Sequence, residues 1–105
     1  MSAMPFSPVH FGPRKSPNRL ALAPVKTALG GKDGKVSPRH VAYYRRRAEG
    51  GAGLIIVEPL FVDPSGREHP KQLGAHVDDV VGGLRQIAEA VHQHGALAFA
   101  HINHA

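Results

Sequence analysis

Residues 42–57 read Ala42-Tyr43-Tyr44-Arg45-Arg46-Arg47-Ala48-Glu49-Gly50-Gly51-Ala52-Gly53-Leu54-Ile55-Ile56-Val57, and the change of pattern along this stretch decides the fold. Before Gly50, the apolar positions Val41, Tyr44 and Ala48 recur at helical spacing and share one face. Ser37-Pro38 supplies an N-cap followed by proline at the first helical position, so a helix is predicted over Pro38–Glu49. Gly50-Gly51 stops it. Leu54–Val57 is then apolar at both parities and bounded by Gly53 and Pro59. That is the pattern of a strand covered on both faces, as in a parallel sheet.

Toward the C-terminus, residues 60–76 read as a polar loop with Pro64, Gly66 and Pro70. A second helix is predicted from about Val77 to His94, with Val77, Val80, Val81, Leu84, Ile87, Ala88 and Val91 at helical spacing. Asp78 and Asp79 fall in its first turn, where the helix dipole favours negative charge, and Gly95 ends it. Ala96–Ile102 reads as a third strand, apolar until His101. Toward the N-terminus, Leu20–Ala23 is a short apolar run stopped by Pro24, the length of a buried strand. Thr27–Val36 is a loop. Residues 5–19, with Pro5, Pro8, Pro13 and Pro17, read as extended pieces with a turn at Gly12-Pro13. Strand, helix, strand, helix, strand is the order of an α/β protein with a parallel sheet and right-handed crossovers. Three such strands with helices on one side leave apolar surface bare and both sheet edges open, so the chain is expected to be incomplete.

The 105 residues suffice for one domain, and 42% apolar residues place it in the globular range. A net charge of +5 and a pI near 10.1 would suit a nucleic-acid partner. No basic cluster alternates with stacking aromatics, which argues against one. With no cysteine, disulfides, thiolate-ligated zinc and iron–sulfur clusters held by this segment are excluded. Met1–Phe11 lacks the basic and apolar regions of a signal peptide, and no apolar run approaches the length of a membrane span. A cytoplasmic location is the resulting expectation.

Several motifs fail on inspection. Gly30-Gly31-Lys32-Asp33-Gly34-Lys35 is glycine-rich, but a P-loop requires glycine where Leu29 stands and Ser or Thr where Val36 stands. His92 and His94 lie two apart on a helix and point about 200° apart, so they cannot chelate one ion there. His101 and His104 fall on opposite strand faces. No metal site is expected. Arg45, Arg46 and Arg47 fan round their helix and form a solvated face, and no serine sits in a nucleophile elbow. What remains is the set of strand C-terminal ends, where α/β proteins bind ligands. These are Ala23-Pro24-Val25-Lys26-Thr27, Glu58-Pro59-Leu60 and His101-Ile102-Asn103-His104.

At these places the chain resembles the NADH:flavin oxidoreductase or Old Yellow Enzyme family. Asn18–Val25 is similar to the family's first strand, Ala42–Ile56 to its first helix and second strand, and Asp63-Pro64-Ser65-Gly66-Arg67 to the following loop. His94–Ala96 through Asn103–Ala105 is similar to its third strand. The resemblance implies an α/β fold, the first three βα units of a TIM (β/α)8 barrel, with residues 1–105 as its N-terminal part. Residues 1–19 would be extended cap segments, and residues 20–105 would hold strands one to three with two helices. A whole barrel needs about 250 residues.

The implied cofactor is FMN, reduced by NADH or NADPH, with hydride passing through flavin N5 to an activated alkene or similar small-molecule electron acceptor. Ala23, Pro24 and Val25 would lie along the flavin ring. Lys26 would stand near its N5/O4 edge, where the family has a small or polar residue. Pro59 would stand near the ring, and His101 where a Gln commonly reads the pyrimidine edge. No catalytic residue is assigned, because the family's substrate-binding pair, proton donor and phosphate site lie on the remaining barrel segments. The chain alone is therefore expected to be inactive, with no membrane partner and a homo-oligomer left open. The alternatives are a non-catalytic barrel remnant and a basic nucleic-acid-binding fragment.

Overall fold

The computed structural model describes residues 4–105, so the first three residues of the cap segment lie outside the described part. In chain order the regular elements are strands β1 (Val9–Phe11), β2 (Arg14–Ser16) and β3 (Ala21–Leu22), helix α1 (Pro38–Glu49), strand β4 (Leu54–Phe61), helix α2 (Val81–His92) and strand β5 (Leu97–Asn103). β1 and β2 form an antiparallel hairpin about Gly12-Pro13, with Phe11 opposite Arg14. Gly12 has φ +60°, a conformation that favours glycine. β3, β4 and β5 make a parallel sheet in that order, the arrangement that alternating strands and helices require.

α1 spans the residues that Ser37-Pro38 and Gly50 predict. Its start is fixed by His40, whose Nδ1 accepts the Ser37 backbone N–H at 2.9 Å, the back-reaching half of a capping box. Its Tyr44 and Ala48 meet Ile55, Val57 and Leu60 of β4 and Ile87 and Val91 of α2 in one apolar core. β4 lies between its two neighbours and beneath these side chains, which is why it is buried along nearly its whole length.

Three expectations are corrected. β4 does not end at Val57 but runs on through Pro59 to Phe61. Proline lacks the N–H for a ladder bond, yet a register shift between Ile56 and Pro59 accommodates it: Ile56 pairs with Phe99, and Pro59 with His101. Residues 60–76 are not a solvated loop, since Leu60, Phe61, Gln72 and Leu73 are buried. The Phe61 N–H donates to the Leu73 carbonyl and the Ala75 N–H to that of Phe61, so the loop returns to the sheet. α2 begins at Val81, after a 3-10 turn at Asp78–Val80, and ends at His92. The described residues thus contain two complete βα units and a third strand.

Candidate functional site

The three strands are parallel, so the segments that follow them leave the sheet at one end. Ala23, Pro24 and Val25 come off β3 there, with Ala23 and Val25 exposed and Pro24 half-buried. Pro59 is buried and sits in register with His101 on β5. His101 is half-buried, and its Nδ1 is shielded from solvent without a hydrogen-bond partner in the protein. The structure therefore brings five of the six expected residues to one end of the sheet. Lys26, the sixth, lies on the same segment, but its Nζ is committed to Glu68 at 2.5 Å.

Two polar clusters frame this end, and both centre on residues whose types gave no functional signal. Gln72 is only 1% exposed. Its Oε1 accepts the Glu68 N–H at 2.6 Å, and its Nε2 donates to the Pro59 carbonyl at 3.2 Å and reaches Asn103 Oδ1 at 3.5 Å. One amide thus ties the ends of β4 and β5 to the loop carrying the partner of Lys26. Arg67 closes the rim. Its guanidinium donates to the carbonyls of Gly31, Lys32, Pro70 and Gln72 at 2.7–2.9 Å and lies 4.8 Å from the Phe61 ring centroid. The planar fork of its two terminal nitrogens suits this task, which a lysine could not perform, while its buried Nε has no partner. The same apposition requires Gly30, where a Cβ would fall 2.4 Å from the Lys71 carbonyl oxygen.

The second cluster lies behind the first strand's loop. Glu58 is 2% exposed. Its Oε2 accepts the Tyr44 hydroxyl at 2.6 Å, and its carboxylate accepts the Thr27 hydroxyl at 2.9–3.0 Å. The Glu58 backbone N–H donates to the Tyr44 oxygen at 2.9 Å. His40 Nε2 lies 3.9 Å from Oε1, buried and without a closer partner. Burial, and then the hydrogen bond that the hydroxyl donates to the Glu58 carboxylate, hold the Tyr44 phenol above its ordinary range. Burial lowers the His40 imidazole, the Glu58 charge opposes this, and Arg39 adds to it. At the rim, Asp63 is held low because its carboxylate accepts the backbone N–H and hydroxyl of Ser65. Among the described residues, no three His, Cys, Asp or Glu side chains are placed to hold a metal ion. None of the described helices is long and apolar enough to cross a membrane.

The sequence profile of the NADH:flavin oxidoreductase / NADH oxidase family matches residues 5–105. The chain belongs to that family. An NADPH dehydrogenase of Halalkalibacterium halodurans is 43% identical over 89 residues, covering 84% of this chain and 26% of the relative. An NADH oxidase of Thermoanaerobacter brockii is 45% identical over 89 residues, covering 84% of this chain and 14% of the relative. Among solved structures, an Old Yellow Enzyme homologue from Zymomonas mobilis superposes with a TM-score of 0.87 at 31% identity, over 95% of this chain and 28% of that one. The Old Yellow Enzyme of a Pichia species superposes at 0.90 with 26% identity, over 96% of this chain and 26% of that one.

The chain spans about a quarter of the length of the Halalkalibacterium relative. Its parallel sheet and crossover helices correspond to the N-terminal part of the TIM barrels of Old Yellow Enzymes. The family is one of oxidoreductases that use FMN and NAD(P)H. The resemblance read from the strand ends is thereby shown.

Proposed function

We propose that these residues form the N-terminal part of an FMN-dependent NAD(P)H:acceptor oxidoreductase, whose acceptor is an activated alkene or a similar small molecule. The observation that carries this reading is the joint placement of an exposed apolar ledge and an unpartnered imidazole nitrogen at one end of a parallel sheet. The fit to a flavin is chemical. Ala23, Pro24 and Val25 offer backbone groups and apolar surface to a flat ring, and Pro59 adds a side chain with no competing donor. His101 brings a half-buried imidazole to this end for the polar pyrimidine edge. A neutral imidazole carries one donor and one acceptor on separated ring positions, so it makes one contact to that edge rather than the paired contacts of a Gln.

FMN, when bound, supplies the hydride carriage from NADH or NADPH to the acceptor. The chain's own residues bind and orient. Lys26 tunes. Its ammonium, turned from Glu68 toward the flavin, would place a cation beside a ring that reduction makes anionic. The phosphate site, the proton donor and the opposite barrel wall belong to the remaining barrel segments, so residues 1–105 by themselves give no turnover above free flavin. The test is made in the full-length barrel protein that carries these residues. Apoprotein is reconstituted with FMN, and the midpoint potential is measured for the parent and for Lys26→Met. The expected result is stoichiometric binding and a lower potential in the variant. Equal potentials would leave Lys26 on Glu68. Absence of FMN binding by the parent would remove the reading altogether.

A further inference from the structure

Glu58 is the one acidic side chain among the buried polar groups, and the activity proposed above gives it nothing to do. Its surroundings are unusual for a structural carboxylate. Tyr44 on α1 holds both ends of the residue, donating its hydroxyl to Oε2 and accepting the backbone N–H. The remaining side-chain hydrogen bond comes from Thr27, 31 residues earlier, on the segment that offers Ala23–Lys26 at the strand ends. Thr27 passes the constraint on, because its Oγ1 also accepts the Leu29 backbone N–H at 3.3 Å. Between them, Ala28 sits at φ +56°, the only non-glycine residue with positive φ among those described. A left-handed alanine persists only where its neighbours over-determine the backbone.

We propose that Glu58 is a positioning residue for the flavin-facing segment, acting through Thr27 to fix the course of residues 23–29. The proposal rests on the flavin reading and adds to it the device that sets the ledge. Tyr44 fixes the carboxylate against α1, the carboxylate fixes the Thr27 hydroxyl, and the Thr27 oxygen fixes Leu29. Thr27 and Lys26 are consecutive and point to opposite sides, Thr27 to the buried Glu58 and Lys26 to the exposed Glu68. Fixing Thr27 inward against the helix layer therefore fixes Lys26 outward, on the side where Glu68 meets it. The chain's departure from a small or polar residue at position 26 is thereby presented in one orientation.

The test uses Thr27→Val, which keeps the shape and removes the hydroxyl, and Thr27→Ser, which keeps the hydroxyl, both in the full-length barrel protein. FMN affinity is read by fluorescence on titrating apoprotein. Hydrogen exchange is followed at the Leu29 amide, with the Ile87 amide in α2 as the reference for global opening. Thr27→Val should weaken FMN binding about ten-fold, the equivalent of one hydrogen bond to a charged group, and speed exchange at Leu29 but not at Ile87. Thr27→Ser should restore both. Unchanged FMN affinity and Leu29 protection in Thr27→Val would overturn the proposal. So would faster exchange at Leu29 and Ile87 alike, which marks a general structural role. If the parent binds no FMN, the flavin reading fails, and Leu29 exchange alone decides whether Glu58 and Thr27 set the segment.

Discussion

Lys26 and Thr27 are neighbours, and each is held by a glutamate, yet the two attachments differ in kind. Glu68 meets Lys26 in solvent, with side chains 49% and 34% exposed. Glu58 meets Thr27 in the interior, with Tyr44 and His40 around it. The outer pair has the stronger formal charges and the shorter contact, but water screens it and two long side chains must be ordered to make it. The inner contact involves one charge and hydroxyls, but Glu58 and Tyr44 are buried, so water competes little for their groups. Burial, not formal charge, decides which side of the segment carries its stability.

The largest effect is expected on the inner side. Glu58→Ala leaves the buried Tyr44 hydroxyl and the half-buried Thr27 hydroxyl without their acceptor, and unfolding free energy from urea denaturation should fall by about 3 kcal/mol. A loss as small as that of a surface substitution would show that water reaches the cluster. Tyr44→Phe removes one donor to the carboxylate and the acceptor of the Glu58 N–H, and about 2 kcal/mol should be lost by the same measurement.

A pH dependence on this side should come next in size. In the unfolded chain His40 titrates near its ordinary 6.5, whereas in the fold burial holds it lower. The unfolded chain then binds more protons in that window. Stability from this group is intact above about 6.5 and declines as pH falls through the folded value. Melting temperatures of the parent should drop across that range more steeply than those of His40→Asn, which keeps an acceptor near the Nδ1 position and does not titrate. Parallel curves would place the pH dependence elsewhere. The smallest effect belongs to the outer pair: Glu68→Gln should change stability by less than about 1 kcal/mol, and the difference should vanish in about 1 M salt. A difference that survives salt would mean the pair is drier than its exposure indicates.

The same contrast explains what could be read from the chain alone. α1 was legible to the residue, because Ser37-Pro38 and Gly50 are local signals that nothing distant overrides. The turn at Gly12-Pro13 and the apolar start of β4 were legible for the same reason. Lys26 and His101 stood out as strand-end residues that depart from the family they resemble. The continuation of β4 through Pro59 was not legible, since proline is a strand breaker unless a register shift receives it, and that shift depends on the partner strand. Gln72 and Leu73 sit in a stretch of turn formers and charges, and only the return of that stretch against Phe61 buries them. Glu58 appeared as one letter at a strand end, and its importance comes from Thr27, Tyr44 and His40, which lie 14–31 residues away.

The register shift in β4 has a consequence for how this segment tolerates change in length. Ile55 and Val57 face the core in ordinary alternation, and Leu60, of opposite parity, faces it too. Val57 and Leu60 line the same space under Leu84 and Ile87. One surplus residue between Ile56 and Pro59 therefore acts as a half-period phase step, and everything downstream is written in the new phase. A single deletion there would cancel the step. Leu60 would turn out of the core and Phe61 into it, while every residue kept its chemical identity. Substitutions along this strand change one side chain at a time, but a change in residue count would exchange its two faces at once.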